Sequence, residues 1–348
     1  MNNDDLVIDG TTIKAGEKKR IEMSVAKLYT DTDVRIPVYI ERGKKAGSIV
    51  FVSAAVHGDE LNGIEIIRRL IQLKSLKVIN GTLIMVPMVN VYGVLSQSRY
   101  TPDRRDLNRS FPGSSKGSLA GRVAQKFLDE IVKNCDYGID LHTGAIHRSN
   151  LPQVRANLED PETRELAEVF DVPVLLNATL RDGSLRQASV ESNTRVLLYE
   201  AGEALRFDEL SIRAGIRGVL NVLGHLGLVK RKLHRKALTP YVANTSTWVR
   251  ANSSGIVKIL KNLGDQVEEN TPLAEIGSPY GDIIDIVKAN KSGIIIGTNN
   301  IPLAQEGDAM FHIAFFSEPD DEIAGNIEAM QETLIPDEPT HVEGHSEP

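Results

Sequence analysis

Residues 48–56, Ser48-Ile49-Val50-Phe51-Val52-Ser53-Ala54-Ala55-Val56, form a short continuous apolar run. A strand that reads this way is covered on both faces, which is the habit of parallel sheets in α/β folds. The segments that follow keep to the same plan. Leu61, Ile64, Ile67, Leu70 and Ile71 recur at helical spacing over 61–74. A strand follows at Thr82–Pro87, a helix at about 119–133, and strands at Tyr137–Leu141, Val172–Leu176 and Val196–Tyr199. A long amphipathic stretch, 207–227, closes the series. Strand, helix and strand in alternation predict an α/β fold, with a mostly parallel mixed sheet and helices on both faces. Ahead of it, 20–27 and 34–41 alternate as strands, and Gly43–Gly47 is a turn.

The texture changes after Pro240. From 247 to 316 short β-rich runs are separated by Gly, Asn and Pro. Ser254-Gly255-Ile256-Val257 with Gly264-Asp265-Gln266-Val267 is echoed by Ser292-Gly293-Ile294-Ile295 with Gly307-Asp308-Ala309-Met310. The doubled pattern predicts a small all-β barrel or sandwich of two similar units. Residues 317–348 hold ten carboxylates and no Lys or Arg. Taking that −10 from the chain's −7 leaves the rest at +3. Like charges repel and no apolar face offsets the ordering entropy, so this end is expected to be a flexible tail. The expected layout is therefore N-terminal strands (1–45), an α/β domain (46–240), a β-rich domain (245–316) and an acidic tail (317–348).

Several function classes drop out. The near-neutral body lacks the basic face of a nucleic-acid binder. Cys135 is the only cysteine, so no intrachain disulfide and no four-thiolate site can form. No apolar run approaches the ~18 residues of a spanning helix, and the N-terminus lacks a secretory pattern. The expectation is a cytoplasmic protein without a membrane or nucleic-acid partner, its oligomeric state left open, a homo-oligomer included.

The sharpest chemical signal is His57-x-x-Glu60, at the end of the buried strand where a helix begins. Positions i and i+3 on a first helical turn face the same way, so an imidazole and a carboxylate can converge on one ion. In open α/β sheets the functional crevice lies beyond the carboxyl ends of the strands. A third ligand is wanted, and His142 supplies one by closing another apolar strand, with 81 residues between it and Glu60. A lone histidine is ordinarily a core or surface residue. Two at strand ends, one with a carboxylate at i+3, point to a metal. Between them Arg99, Arg104, Arg105 and Arg109, close to Asp106 and Asn108, suit carboxylates or oxyanions. Glu200 follows the Val196–Tyr199 run and is placed to accept a proton from water.

Taken in order, His57-Gly58-Asp59-Glu60, Asp106-Leu107-Asn108-Arg109, Asp140-Leu141-His142-Thr143-Gly144 and Tyr199-Glu200-Ala201-Gly202 resemble the succinylglutamate desuccinylase/aspartoacylase family, a branch of the zinc carboxypeptidase-like hydrolases. The resemblance covers roughly 20–316. It implies one Zn²⁺ per chain, held by His57, Glu60 and His142, with Asp106 orienting the first histidine. It also implies that Arg99 polarises the scissile carbonyl, that Asn108 and Arg109 clamp a substrate carboxylate, and that Glu200 is general base and then acid. The implied reaction is deacylation of a small N-acyl amino acid or related amide. The alternatives are a metallocarboxypeptidase acting on peptides and a catalytically silent binding protein.

Two departures from that family shape further expectations. Aspartoacylases carry another arginine about ten residues before the general base, whereas this zone reads Ser189-Val190-Glu191-Ser192-Asn193. Arg186 and Arg195 flank it out of place, so Glu191 is expected to favour a neutral or cationic amine portion, as in an N-acyl diamino acid. The β-rich domain resembles biotinyl/lipoyl carriers, but the expected hairpin tip, Gly277–Asp282, has no lysine, and Lys288 lies on the next strand. A structural or pocket-closing role is expected instead. His147 and Arg148 are candidate pocket residues. His225, His234 and His312 read as ordinary surface or core residues, His341 and His345 as part of the tail, and Ser53 and Ser110 lack a histidine partner.

Overall fold

The computed structural model describes residues 5–178, 181–231 and 240–315, with Gly325, Ile327, Met330 and Leu334 beyond them. A small hairpin of β1 (Leu6–Ile8) and β2 (Thr11–Ile13) comes first, then the long antiparallel pair β3 (Lys18–Lys27) and β4 (Asp33–Arg42). The α/β region follows as β5 (Lys45–Ala54), α1 (Asn62–Gln72), β6 (Asn80–Val86), α2 (Val91–Leu95), α3 (Leu119–Glu130) and β7 (Tyr137–His142). It continues through β8 (Arg148–Ala156), α4 (Pro161–Phe170), β9 (Val174–Asn177), α5 (Leu185–Glu191), β10 (Arg195–Gly202) and α6 (Glu209–His225).

At the centre, β6, β5, β7 and β10 lie side by side and parallel. The apolar run behaves as its pattern predicts. Val50, Val52 and Ala54 face a layer of α1, α4 and α6, while Phe51 points to the opposite layer of α3 and α5. Full burial of side chains of this size contributes ~2 kcal/mol each, so both faces hold the strand in register. Strands are added antiparallel at both edges: β4 and β3 beyond β6, and β8 beyond β10. Among the described residues the large sheet has five parallel and seven antiparallel pairings, so it is mixed, and mostly parallel only in its core.

The remaining strands are β11 (Tyr241–Ala243), β12 (Ser246–Arg250), β13 (Gly255–Ile259), β14 (Gln266–Val267), β15 (Pro272–Gly277), β16 (Ile283–Lys288), β17 (Gly293–Asn299), β18 (Leu303–Ala304) and β19 (Ala309–Phe315). One sheet runs β16-β15-β13-β18. Strands β12, β19 and β17 instead continue the large sheet through the antiparallel β17–β8 pairing. Val257, Leu273, Ile276 and Val287 meet Ile295, Phe311 and Ile313 in one apolar cluster. The β15–β16 connection spans Ser278–Asp282 and carries no lysine.

Most of the expected tail lies outside the described residues. Gly325, Ile327, Met330 and Leu334 are helical, and Ile327 and Met330 are buried, so this end is not wholly a solvated tail. Apolar residues at i and i+3 give it the face that its charge count conceals.

Candidate active site

The carboxyl ends of β5, β7 and β10 open on one cavity of about 700 Å³, lined by His57, Glu60, His142 and Glu200 among others. Strand β5 leads into the turn bearing His57 and Glu60. Gly58 lets this turn lie against α2, since a Cβ there would come within 1.9 Å of the Gly93 backbone. His142 ends β7, and Glu200 is its in-register partner on β10.

His57, Glu60 and His142 are buried, and one donor atom from each lies within 4.8 Å of the other two. His57 Nδ1 is 2.7 Å from Glu60 Oε1, and His142 Nδ1 is 2.8 Å from Glu60 Oε2. The outer nitrogens are occupied as well. His57 Nε2 donates to Asp106 Oδ1 (3.1 Å), and His142 Nε2 donates to Asp140 Oδ2 (2.7 Å). Asp140 is fixed in turn by the Ser53 hydroxyl, which donates to its Oδ1 (2.7 Å). Each imidazole thus lies between two carboxylates, with Nε2 on an aspartate and Nδ1 on Glu60; with a metal ion bound, the aspartates would keep the Nε2 hydrogens and Nδ1 would be the ligand atom.

A neutral Nδ1 lone pair facing a Glu60 oxygen would be repulsive, so this arrangement calls for a proton or a metal ion between them. Burial alone would push both histidines down, but Glu60 with Asp106 raises His57, and Asp140 with Glu60 raises His142. Burial would raise the Glu60 carboxyl, and the two imidazoles hold it well below the carboxylate range. The cluster is built around positive charge. Two neutral imidazoles and one carboxylate suit a borderline divalent ion such as Zn²⁺ with one position left open.

The other expected residues fall around this centre. Arg99 donates from Nη1 to Glu60 Oε1 (3.2 Å) and from Nε and Nη2 to Asp106 Oδ2 (3.2 and 3.0 Å). Asn108 is buried, and its Oδ1 accepts from the Leu185 N–H (2.9 Å) at the start of α5. Arg109 beside it is exposed, and both line the cavity. His147 is exposed next to Glu203, whereas Arg148 lines the cavity.

Three expectations change. Glu191 is exposed at the end of α5, accepts from Gln187 Nε2, and is not among the cavity residues, because the helix carries it away from the sheet. Arg186, one helical turn earlier, is buried and lines the cavity. Arg195 pairs with Asp160 and Glu162 instead. His312 is no bystander either: it lines the cavity from β19, stacked on Trp248 (4.8 Å) with Ser246 Oγ at 3.0 Å from its Nε2. His234 lies outside the described residues.

Some contributors escaped the sequence reading. Asp140 is two residues before His142 on one strand, so their side chains share a face, and that spacing was the available signal. Asn150 and Arg155 come from β8, for which no strand was predicted. Besides Arg99 and Arg109, the cavity holds Arg148, Arg155, Arg181, Arg186 and Arg250, against the acids Glu60, Asp140 and Glu200.

Residues 46–226, more than half of the chain, match the model of the succinylglutamate desuccinylase/aspartoacylase catalytic domain. The chain belongs to this family. Among relatives, the N-α-acetyl-L-2,4-diaminobutyric acid deacetylase of Halomonas elongata is 28% identical over 255 residues, covering 70% of this chain and 74% of that protein. The product-bound ectoine utilization protein EutE (DoeB) from Ruegeria pomeroyi superposes with a TM-score of 0.77 at 22% identity, covering 86% of this chain and 95% of that one. A succinylglutamate desuccinylase/aspartoacylase from Rhodobacter sphaeroides gives 0.72 at 23% identity, covering 86% and 96%. The two structures share the fold with this member of the family. Among the described residues no helix is long and apolar enough to cross a membrane.

Proposed function

We propose that this chain is a zinc-dependent hydrolase that deacylates a small N-acyl amino acid. One observation carries the reading: two imidazole nitrogens and a carboxylate converge, each imidazole backed by its own aspartate, at the edge of a cavity that also holds Glu200. When bound there by His57, Glu60 and His142, Zn²⁺ supplies Lewis acidity and lowers the pKa of a water molecule towards ~7.

The chain's own groups do the rest. Glu200 takes the proton of the attacking water and returns it to the departing amine. Arg99 spends one N–H of each nitrogen on Glu60 and Asp106, and the second N–H of each terminal nitrogen is left for the substrate carbonyl oxygen. Such a donor is typically worth ~3 kcal/mol in the transition state. Asn108, anchored on α5, and the exposed Arg109, whose Nη1 donates to the Asn108 carbonyl, bind the amino-acid carboxylate. Strands β12 and β19 wall the cavity through Trp248 and His312, which favours a small molecule over an extended peptide.

The lining arginines favour a substrate with a second negative group. Glu60 and Asp140 are engaged by the histidines, which leaves Glu200, among the described residues, as the one lining acid outside the His-Glu-His cluster. The relative from Halomonas elongata is named for a diamino acid instead. Assays of N-acetylaspartate, N-succinylglutamate and N-acetyl-2,4-diaminobutyrate, with chelator and after zinc is restored, test the reading. Chelator-sensitive release of the free amine supports it. Chelator-insensitive release, or none from any N-acyl amino acid, overturns it.

A further inference from the structure

A general base on a strand end beside a wide cavity has rotamers to choose from, and proton transfer needs one of them. Strand β8 supplies two groups that limit Glu200. Asn150 Nδ2 donates to Glu200 Oε2 (3.1 Å), and Arg155 Nε lies 3.0 Å from the same oxygen. The antiparallel β8–β10 register places both, with Leu198 opposite Arg155, Gly202 opposite Asn150, and a bulge between Glu200 and Gly202 that lets Asn150 reach back. Among the described residues no hydrogen bond reaches Oε1.

The Arg155 contact has a particular character. Its Nε is buried and its N–H is not aimed at the carboxylate, so the two groups attract as charges without forming a hydrogen bond. The pair is largely shielded, with side chains 22% and 19% exposed, so its attraction is screened less than that of a surface pair. Arg186 lies on the same wall, and burial, then Arg155, pushes its guanidinium down to about 10, while Glu200 acts in the opposite sense. Glu200 is thus the counter-ion of a crowded arginine pair, and that crowding opposes any rotation that would carry the carboxylate away.

We propose that Arg155 is a positioning residue for Glu200. Together with Asn150 it draws Oε2 towards β8 and leaves Oε1 as the oxygen that handles the proton. Arg155 need not touch the substrate. The kinetic consequence rests on the hydrolase reading above, but the conformational consequence does not.

The test uses the full chain carrying Arg155→Gln, with Arg155→Lys as the conservative variant. With the best wild-type substrate of the panel, kcat of Arg155→Gln is expected to fall about 100-fold, the scale of a slightly misplaced catalytic group, with KM close to wild type. Added guanidinium ion should restore part of that loss, which a purely structural defect would not allow. In crystal structures, the Glu200 carboxylate should leave Asn150 and change rotamer in Arg155→Gln and stay in place in the wild type. Arg155→Lys, which keeps the charge, should retain most of the kcat and the wild-type Glu200 rotamer; if Arg155→Gln does not fold, Arg155→Met, uncharged and of similar length, carries both readouts. Wild-type kcat in the variant, or an unmoved Glu200, overturns the proposal. A wild type that hydrolyses nothing defeats the hydrolase reading alone, and the Glu200 rotamer then decides this one.

Discussion

His142 and Glu200 stand opposite one another in the parallel ladder of β7 and β10, Cα partner to Cα partner. Partners in such a pair present their side chains on the same face, so the sheet itself sets the proposed metal ligand and the proposed base side by side. No loop has to close to bring them together. A base placed in this way is separable from the metal. Glu200→Gln should lower kcat by about 10²–10⁴-fold while leaving zinc content unchanged. Steady-state kinetics and metal analysis on the same preparation check both halves, and a variant that loses its zinc would place Glu200 among the ligands.

Asp140 is expected to matter almost as much as the ligand that it supports. It accepts from His142 Nε2 and is itself held by Ser53. Asp140→Asn should weaken zinc binding about 10–100-fold, because the amide supports the imidazole less well and its NH₂ can turn toward the ring. Ser53→Ala should act in the same direction and by less. Competition with a chromogenic chelator reads both, and affinities equal to wild type would remove the aspartate from the account.

Legibility in the sequence followed how local each signal was. His57 and Glu60 share one turn, and His142 and Glu200 each close an apolar run, so short patterns sufficed for them. The parallel core was equally plain, since Val50, Phe51 and Val52 are buried on alternating faces. Strand β8 was missed because Arg148-Ser149-Asn150-Leu151-Pro152-Gln153-Val154-Arg155 mixes polar residues with a proline, and its pairing with β10 and β17 overrides that weak propensity. With β8 went Asn150 and Arg155. Arg186 was judged by its distance along the chain from Glu200, but α5 turns it inward and Glu191 outward. The link from β17 to β8 joins residues far apart in sequence, and no local pattern encodes it.

Arg186 and Glu191 offer a direct contrast. Glu191→Gln should leave kcat/KM for every N-acyl amino acid within about twofold of wild type, since an exposed side chain of this kind contributes little. Arg186→Gln should raise KM for dianionic substrates about tenfold or more, as loss of one charged hydrogen bond does, and should affect N-acetyl-2,4-diaminobutyrate less. The reverse ranking would restore Glu191 as the specificity residue.

His312 makes stability depend on pH. Burial, and after it Arg155, pushes its imidazole down to about 3 from 6.5, and Ser246 and the Trp248 ring surround it, with Arg148 over that ring. The unfolded chain therefore binds a proton that the folded chain refuses. His312 leaves stability whole above 6.5 and lowers it as pH falls from there towards 3. Urea unfolding between about pH 4.5 and 7.5 should show a steeper acid loss in the wild type than in His312→Asn. Equal slopes would show that His312 is protonated freely in the fold.

Metal stoichiometry tests the centre of the account most directly. Purified wild-type chain, dialysed against metal-free buffer and measured by plasma mass spectrometry, should retain about one zinc ion, as a set of three buried imidazole and carboxylate donors does. His142→Ala, folded by circular dichroism, should retain almost none. A wild type that binds no divalent ion even when zinc is supplied, or a His142→Ala variant that keeps its full complement, would contradict it.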